Sequence, residues 1–333
     1  MNLAFLLHIY QPPIQDSKKD EEIIESSYIP LLKAIKSKPN FKITLNIPLS
    51  LSYQLHTTHS DRVIAVIKEL FECEKIELTS TGAYHPLLTK IPDYLIEKEI
   101  ILNERGLAYY YGKNKGFEGE DALVIQNVVG FFPPEGAINQ HVAEILDEMG
   151  YEWVFADDVA IPQEPNNREY NPVYQLEGRQ IKVAARHKGI SDMLSFKRYG
   201  GTEDLIEQIL YQRQEGKDLI LALDGEFFGH HYKEGIFFLD TLLADLYAQG
   251  IKTVTVGELI AENDPAPLKE VVESTWGASE EQVAAGNSHP IWDAPDNELH
   301  KLLWQVCNRV VEEGKKDVNI SISDKDERFE TLP

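Results

Sequence analysis

Leu219-Ile-Leu-Ala-Leu-Asp224-Gly-Glu-Phe-Phe-Gly-His-His231 is an apolar run that ends on an acid and a bend. Such a run reads as a buried strand, and an acid at its end is either partnered or functional. Gly130-Phe-Phe-Pro-Pro-Glu135-Gly-Ala137 repeats the pattern, with the acid again in the bend after an apolar run. A strand that delivers a carboxylate at its C-terminal end, twice, is how a βα barrel brings two acids over one substrate.

Working outward, short apolar runs alternate with helical patterns, the mark of βα units and a parallel sheet. Seven runs are expected as strands: 3–7, 41–47, 75–80, 124–132, 151–156, 180–185 and 218–223. Between them lie amphipathic patterns such as Asp61–Phe71, with Val63, Ile64, Ile67, Leu70 and Phe71 on one face; 138–149 and 205–214 behave similarly. Polar side chains recur where the runs stop: His8, His85, Glu135, Asp157, Arg186-His187 and Asp224. In a parallel barrel these ends share one mouth, where the chemistry sits. An eighth run, 251–256, either closes the ring or lies outside it.

The texture changes near residue 259. Asp264-Pro-Ala-Pro267 reads as a linker turn, followed by helical stretches around 268–272, 280–285 and 298–313 and a polar tail from Lys315. The expected division is a catalytic barrel over 1–258 and a helical C-terminal segment over 259–333 packed on it.

Composition narrows the partners. The 333 residues carry 32 Lys and Arg against 55 Asp and Glu, a net charge of −23. Such a surface repels phosphate backbones and anionic lipid, which argues against nucleic acid and membrane. A neutral glycan meets no such repulsion, although charge alone does not choose it. Cys73 and Cys307 form neither a disulfide framework nor a metal-ligand spacing, which fits a reducing compartment. Met1–His8 lacks a basic region and a cleavage site and reads as a first strand, and no apolar run reaches the ~18 residues of a membrane span. The expectation is a cytoplasmic protein; on that reading the sequon Asn319-Ile-Ser321 carries no meaning.

Each candidate residue has two readings. Two prolines and Gly136 would hold Glu135 on a stiff frame beside aromatics; alternatively, Glu135 is a first-turn acid of the following helix. Asp224 is a functional acid, or a helix cap or turn residue. Glu226 lies two residues away and is a rival for the acid role. His8 and His85 each have a Tyr and a Pro nearby, which suits sugar hydroxyls as well as a structural role. With His230, His231 and Asp157 they could also hold a divalent ion, although none of these residues forms a close H-x-H or H-x-D pair. Trp276 and Trp292 are core anchors or stacking platforms.

Five stretches in order, His8-Ile-Tyr-Gln-Pro12, Gly82-Ala-Tyr-His-Pro86, Gly130–Ala137, Ala222–His230 and Glu273-Ser-Thr-Trp276, resemble the marks of glycoside hydrolase family 57. That group comprises α-amylases, 4-α-glucanotransferases, amylopullulanases, branching enzymes and α-galactosidases. The resemblance implies a (β/α)7 barrel followed by a helical region. It also implies cofactor-free, retaining cleavage of α-glycosidic linkages, with Glu135 as nucleophile and Asp224 as acid/base. His8, Gln11, His85, Asp157, Glu226, His230 and Trp276 are then the candidates for holding an α-glucan or oligosaccharide. Tyr10 departs from the family, which usually has a second His there. The chain is also short for the family, which fits a small oligosaccharide substrate or a member that has lost activity. A carbohydrate deacetylase using a metal-bound water and a non-catalytic glycan-binding barrel are the rival classes.

Overall fold

The computed structural model describes residues 1–58, 60–112, 128–162 and 169–317. Two compact units emerge, Met1–Trp276 and a second from Gly277. The first contains β1 (Asn2–His8), β2 (Ile43–Asn46), β3 (Ile76–Thr79), β4 (Gly130–Phe131), β5 (Trp153–Asp157), β6 (Val173–Leu176), β7 (Lys182–Arg186), β8 (Leu219–Asp224), β9 (Lys252–Val254) and β10 (Ala266–Leu268).

Seven of these strands close a ring. β3, β2, β1 and β8 pair side by side, all parallel. β4, β5 and β7 form a second parallel run. Two seams join the runs. Ser80 donates to Gly130 O and accepts from Phe132 N–H, both at 2.9 Å, linking β3 to β4. His187 N–H donates to Ile220 O at 2.9 Å, linking the end of β7 to β8. The ring is therefore β1-β2-β3-β4-β5-β7-β8, the seven runs expected from the sequence, although residues 124–127 of the fourth lie outside the described residues. The eighth run lies outside the ring: β9 pairs only with the foot of β1, at Asn2–Ala4, while β2 pairs with its top, at Leu6–His8.

Alternation along the strands explains which side chains reach the mouth. Leu3, Phe5 and Leu7 of β1 join the layer under the helices, whereas Ala4 and Leu6 join the inner cluster with Phe132, Trp153 and Phe155. In β8, Leu219, Leu221 and Leu223 face out and Ile220 and Ala222 face in. Continuing the period of two puts His8, Asp157, Arg186 and Asp224 on the inner side at their strand ends. Gly130 is required by packing: a Cβ there would come within 2.1 Å of the Trp153 indole.

Helices cover the ring where their apolar stripes predict. Asp61–Glu72 buries Val63, Ile64, Ile67 and Leu70, with Phe71 only partly covered. Gln140–Glu148 and Thr202–Gln214 occupy the other two patterned regions. Two elements differ from expectation. The antiparallel pairing of β6 with β7 is absent from the sequence reading. Residues 268–272 are not helical, because Ala266–Leu268 pairs with β6 and Val272 N–H bonds to Ala160 O. The second unit contains helices Glu280–Ala284 and Glu298–Asp317, and in it Trp292 is 42% exposed. The tail beyond Asp317 and its sequon lie outside the described residues.

Candidate active site

Glu135 sits in a one-turn 3-10 helix, Pro134–Gly136, with φ 58° and ψ 18°, and Gly136 follows at φ 58°. A left-handed glutamate is a strained conformation held by its surroundings. The α-helix beyond starts only at Gln140, capped by Asn139, so Glu135 is not its first-turn acid. Both carboxylate oxygens are engaged. His85, itself at φ 60°, places Nε2 3.1 Å from Oε1, and Trp276 Nε1–H donates to Oε2 at 3.2 Å. The Trp276 backbone N–H also donates to Glu135 O at 3.2 Å. Burial pushes the Glu135 pKa up; the hydrogen bond and charge of His85 and the Trp276 donor outweigh it, leaving the pKa below the ordinary value. Glu135 is thus set up as an anion.

Aromatic rings stiffen this side of the mouth. His85 stacks against both Tyr10, at 4.2 Å and 21°, and His8, at 4.8 Å and 12°, and those two rings are themselves 6.1 Å apart. His8 also stacks on Phe132 at 5.1 Å. Its Nδ1–H donates to Asn46 Oδ1 at 2.7 Å, and Asn46 Nδ2 donates to Thr79 Oγ1 at 2.9 Å. That bond leaves His8 Nε2 as an acceptor. Burial first, then His85, pull the His8 pKa down to about 3, so the ring is neutral.

Asp224 presents the opposite environment. It ends β8 and caps nothing, although the 3-10 turn Gly225–Phe227 follows. Among the described residues its carboxyl has no hydrogen-bond partner. It is open to solvent from the mouth, yet the protein around it desolvates it. This burial, then the charge of Glu135, raise its pKa to about 6, against the pull of Arg186. A substrate covering the mouth would complete the desolvation. One acid is held ionised and the other is biased toward its protonated form, the division of labour that acid–base chemistry on two carboxyls requires.

The remaining candidates separate into groups. His8, His85 and Trp276 converge on Glu135. Asp157 does not face the mouth as a free ligand: it is fully buried, Oδ2 takes Arg186 Nη1–H at 2.6 Å, and Oδ1 accepts Val159 N–H at 3.2 Å. Burial pushes the Asp157 carboxyl up to about 6 against Arg186, so the pair is ionic at neutral pH. Gln11 is also turned inward, donating to Glu226 at 3.2 Å, and Glu226 is buried beneath the acid loop. His230 packs at a tilt of 55° against His231 and places Nδ1 3.9 Å from Glu22, so it joins helix Ser17–Ile23 rather than either carboxylate.

Four neighbours of the site were not among the sequence candidates for it, although Arg186 was noted as a strand-end residue. Arg186 bridges Asp157 and Asp192, donates to Ala222 O at 2.9 Å and lies 5.9 Å from the Trp276 ring. Lys188 donates to Trp276 O at 2.7 Å and pairs with Asp192 at 3.2 Å. Together they anchor the indole whose N–H serves Glu135. Asn46 and Tyr28 complete the set; for Arg186 and Asn46 the signal was inward parity at a strand end.

A ring of seven parallel strands defines a (β/α)7 barrel, with two acids in contrasting environments at its C-terminal mouth. The chain belongs to glycosyl hydrolase family 57, whose model matches residues 6–271. It is similar to an α-amylase of Pyrococcus horikoshii, 24% identical over 232 residues that make up 69% of this chain and 34% of that protein. The chain thus spans no more than about a third of the length of the curated relatives it matches. The fold matches a branching enzyme of Thermococcus kodakaraensis, with TM-score 0.70, 17% identity and coverage of 91% of this chain and 77% of that one. It also matches a 4-alpha-glucanotransferase of Thermococcus litoralis, with TM-score 0.69, 18% identity and coverage of 95% and 47%.

Proposed function

We propose that this protein is a retaining glycoside hydrolase or transglycosylase acting on α-glycosidic linkages of α-glucans or oligosaccharides. The observation that carries the reading is the unequal supply of donors to two carboxyls in one mouth: Glu135, bonded by His85 and Trp276, is pushed down, and Asp224, without a donor among the described residues and beside the charge of Glu135, is pushed up. Glu135 attacks the anomeric carbon, its carboxylate oxygen forming the new bond as the glycosidic C–O bond breaks. Asp224 gives its proton to the departing oxygen. Asp224, now ionised, then takes a proton from water or from an acceptor sugar hydroxyl, whose oxygen displaces Glu135 and restores both groups. Double displacement with retention asks for carboxyls about 5–5.5 Å apart, against about 6.5–9.5 Å for inversion. His8 Nε2, Tyr10 and Trp276 line the approach to Glu135 and are the groups proposed to meet the sugar. The acidic surface suits a neutral polymer, and the free Cys73 and Cys307 suit a cytoplasmic setting. Among the described residues no helix is long and apolar enough to cross a membrane.

The rival metal-dependent deacetylase needs several His and carboxylate ligands on one ion. Among the described residues no group of three or more His, Cys, Asp or Glu side chains is placed to hold one. The test is a panel of aryl α-glycosides and malto-oligosaccharides with products resolved by chain length and anomeric configuration. Shorter products alone mean hydrolysis, and longer ones mean transfer. Inverted product, or turnover lost to a chelator and restored by zinc, would overturn the proposal.

A further inference from the structure

We propose that Glu226 is a positioning residue that locks the loop of the acid/base to the histidine serving the nucleophile. The inference rests on the roles just given to Asp224 and Glu135. Glu226 is 4% exposed, and a single oxygen, Oε1, gathers three donors: Tyr10 N–H at 3.1 Å, Gln11 Nε2 at 3.2 Å and the Tyr28 hydroxyl. Tyr10 and Gln11 belong to the loop after β1. Tyr28 ends a π-helical turn, Ile24–Tyr28, inserted between helices Ser17–Ile23 and Ile29–Ser37. Such turns re-aim side chains at the expense of regular helical bonding.

The π turn presses on the acid loop at three successive places. Ser27 Oγ donates to Gly225 O at 3.2 Å, and Tyr28 reaches Glu226. Gly229, at φ 109°, lies so close to Ser26 that a Cβ would sit 1.8 Å from its carbonyl oxygen. From Glu226 the path continues through the Tyr10 backbone to its ring, across the 4.2 Å stack to His85, and through His85 Nε2 to Glu135. One buried carboxyl thereby connects the Asp224 turn to the Glu135 turn, which leave different strands. Burial, then the charge of Asp224, raise the Glu226 pKa to about 7, a marginal charge. All three donors use one oxygen, so an amide can serve them as well as a carboxylate.

The test uses the whole chain and two readouts. Tyr10 amide exchange reports the lock directly, and kcat against KM on an oligosaccharide reports its consequence. Glu226→Gln is expected to keep Tyr10 protection and to hold kcat within about threefold, because the acceptor is retained. Glu226→Ala is expected to speed Tyr10 exchange at least about tenfold and to lower kcat about 10²-fold, with KM within about twofold, since small misplacement of reacting groups costs that much. Tyr28→Phe removes one donor of three and falls between them; it decides the matter if the alanine variant does not fold. The proposal is overturned if Tyr10 exchange is unchanged in Glu226→Ala, or if Glu226→Gln is as inactive as Glu226→Ala. It is equally overturned if KM rises while kcat stays. A wild-type chain inactive on every α-glucoside would sink the glycosidase reading instead, and Tyr10 exchange would still decide the lock.

Discussion

The Glu135 turn and the Asp224 turn both put a carboxyl at the end of a barrel strand, and the protein treats them in opposite ways. Glu135 has donors on both oxygens and a backbone forced into the left-handed region. Asp224 has an extended backbone, at φ −65° and ψ 132°, and no hydrogen-bonded carboxyl partner among the described residues. Hydrogen bonds to the charged form favour it, whereas desolvation without donors favours the proton. The supply of donors, more than burial itself, separates the proposed nucleophile from the proposed acid.

The harshest way to break this comparison is to neutralise Glu135. Glu135→Gln is expected to lower turnover by at least about 10⁴-fold, since no other group offers the attacking oxygen. Circular dichroism should show the fold retained. Asp224→Asn comes next, with a loss of about 10²–10⁴-fold on natural linkages, the range of general acid–base catalysis. The loss should shrink on aryl glycosides whose leaving group needs no proton.

A pH profile sharpens the contrast. The proposed double displacement needs Glu135 ionised and Asp224 protonated in the free enzyme. The rising limb of kcat/KM therefore lies below the ordinary carboxylate value, and the falling limb sits near pH 6. Asp224→Asn should remove the falling limb in whatever activity remains. Stability follows the same group. Its folded pKa stands above the ordinary 3.8, so its contribution is full below about pH 4 and lost as pH rises through 6. Asp224→Asn should accordingly raise Tm at pH 8 relative to wild type and leave it unchanged near pH 4. The mildest probe is Trp276→Phe, which keeps the ring and deletes the N–H to Glu135. Loss of one hydrogen bond to a charged group, about 1.5 kcal/mol, should cost about tenfold in kcat/KM.

Much of this arrangement was legible in the chain. Seven apolar runs gave seven ring strands, and the acids in the bends after two of them reach the same mouth. What stayed hidden follows from local physics. β6 reads no differently from a loop because its partner, β7, is set by tertiary pairing rather than periodicity. Asp157 looked like a free ligand because sequence shows the strand end and not the arginine two strands on in chain order that occupies it. Tyr28 lies in a helix-like stretch whose π turn alone re-aims its hydroxyl. The division of roles between Glu135 and Asp224 came from resemblance; the electrostatic asymmetry supplies a physical reason for it.

The seam between β3 and β4 carries one further consequence. β4 is only two residues long and meets β3 through the Ser80 bridge, and the turns bearing His85 and Glu135 both leave from this place. Two backbone bonds cross there, and two left-handed residues, His85 and Glu135, add strain that opening would release. Heating should therefore scatter the groups around Glu135 while the β1-β2-β8 side is still paired. Inactivation is therefore expected to precede melting, with the working lifetime of the protein set by one short joint rather than by its core.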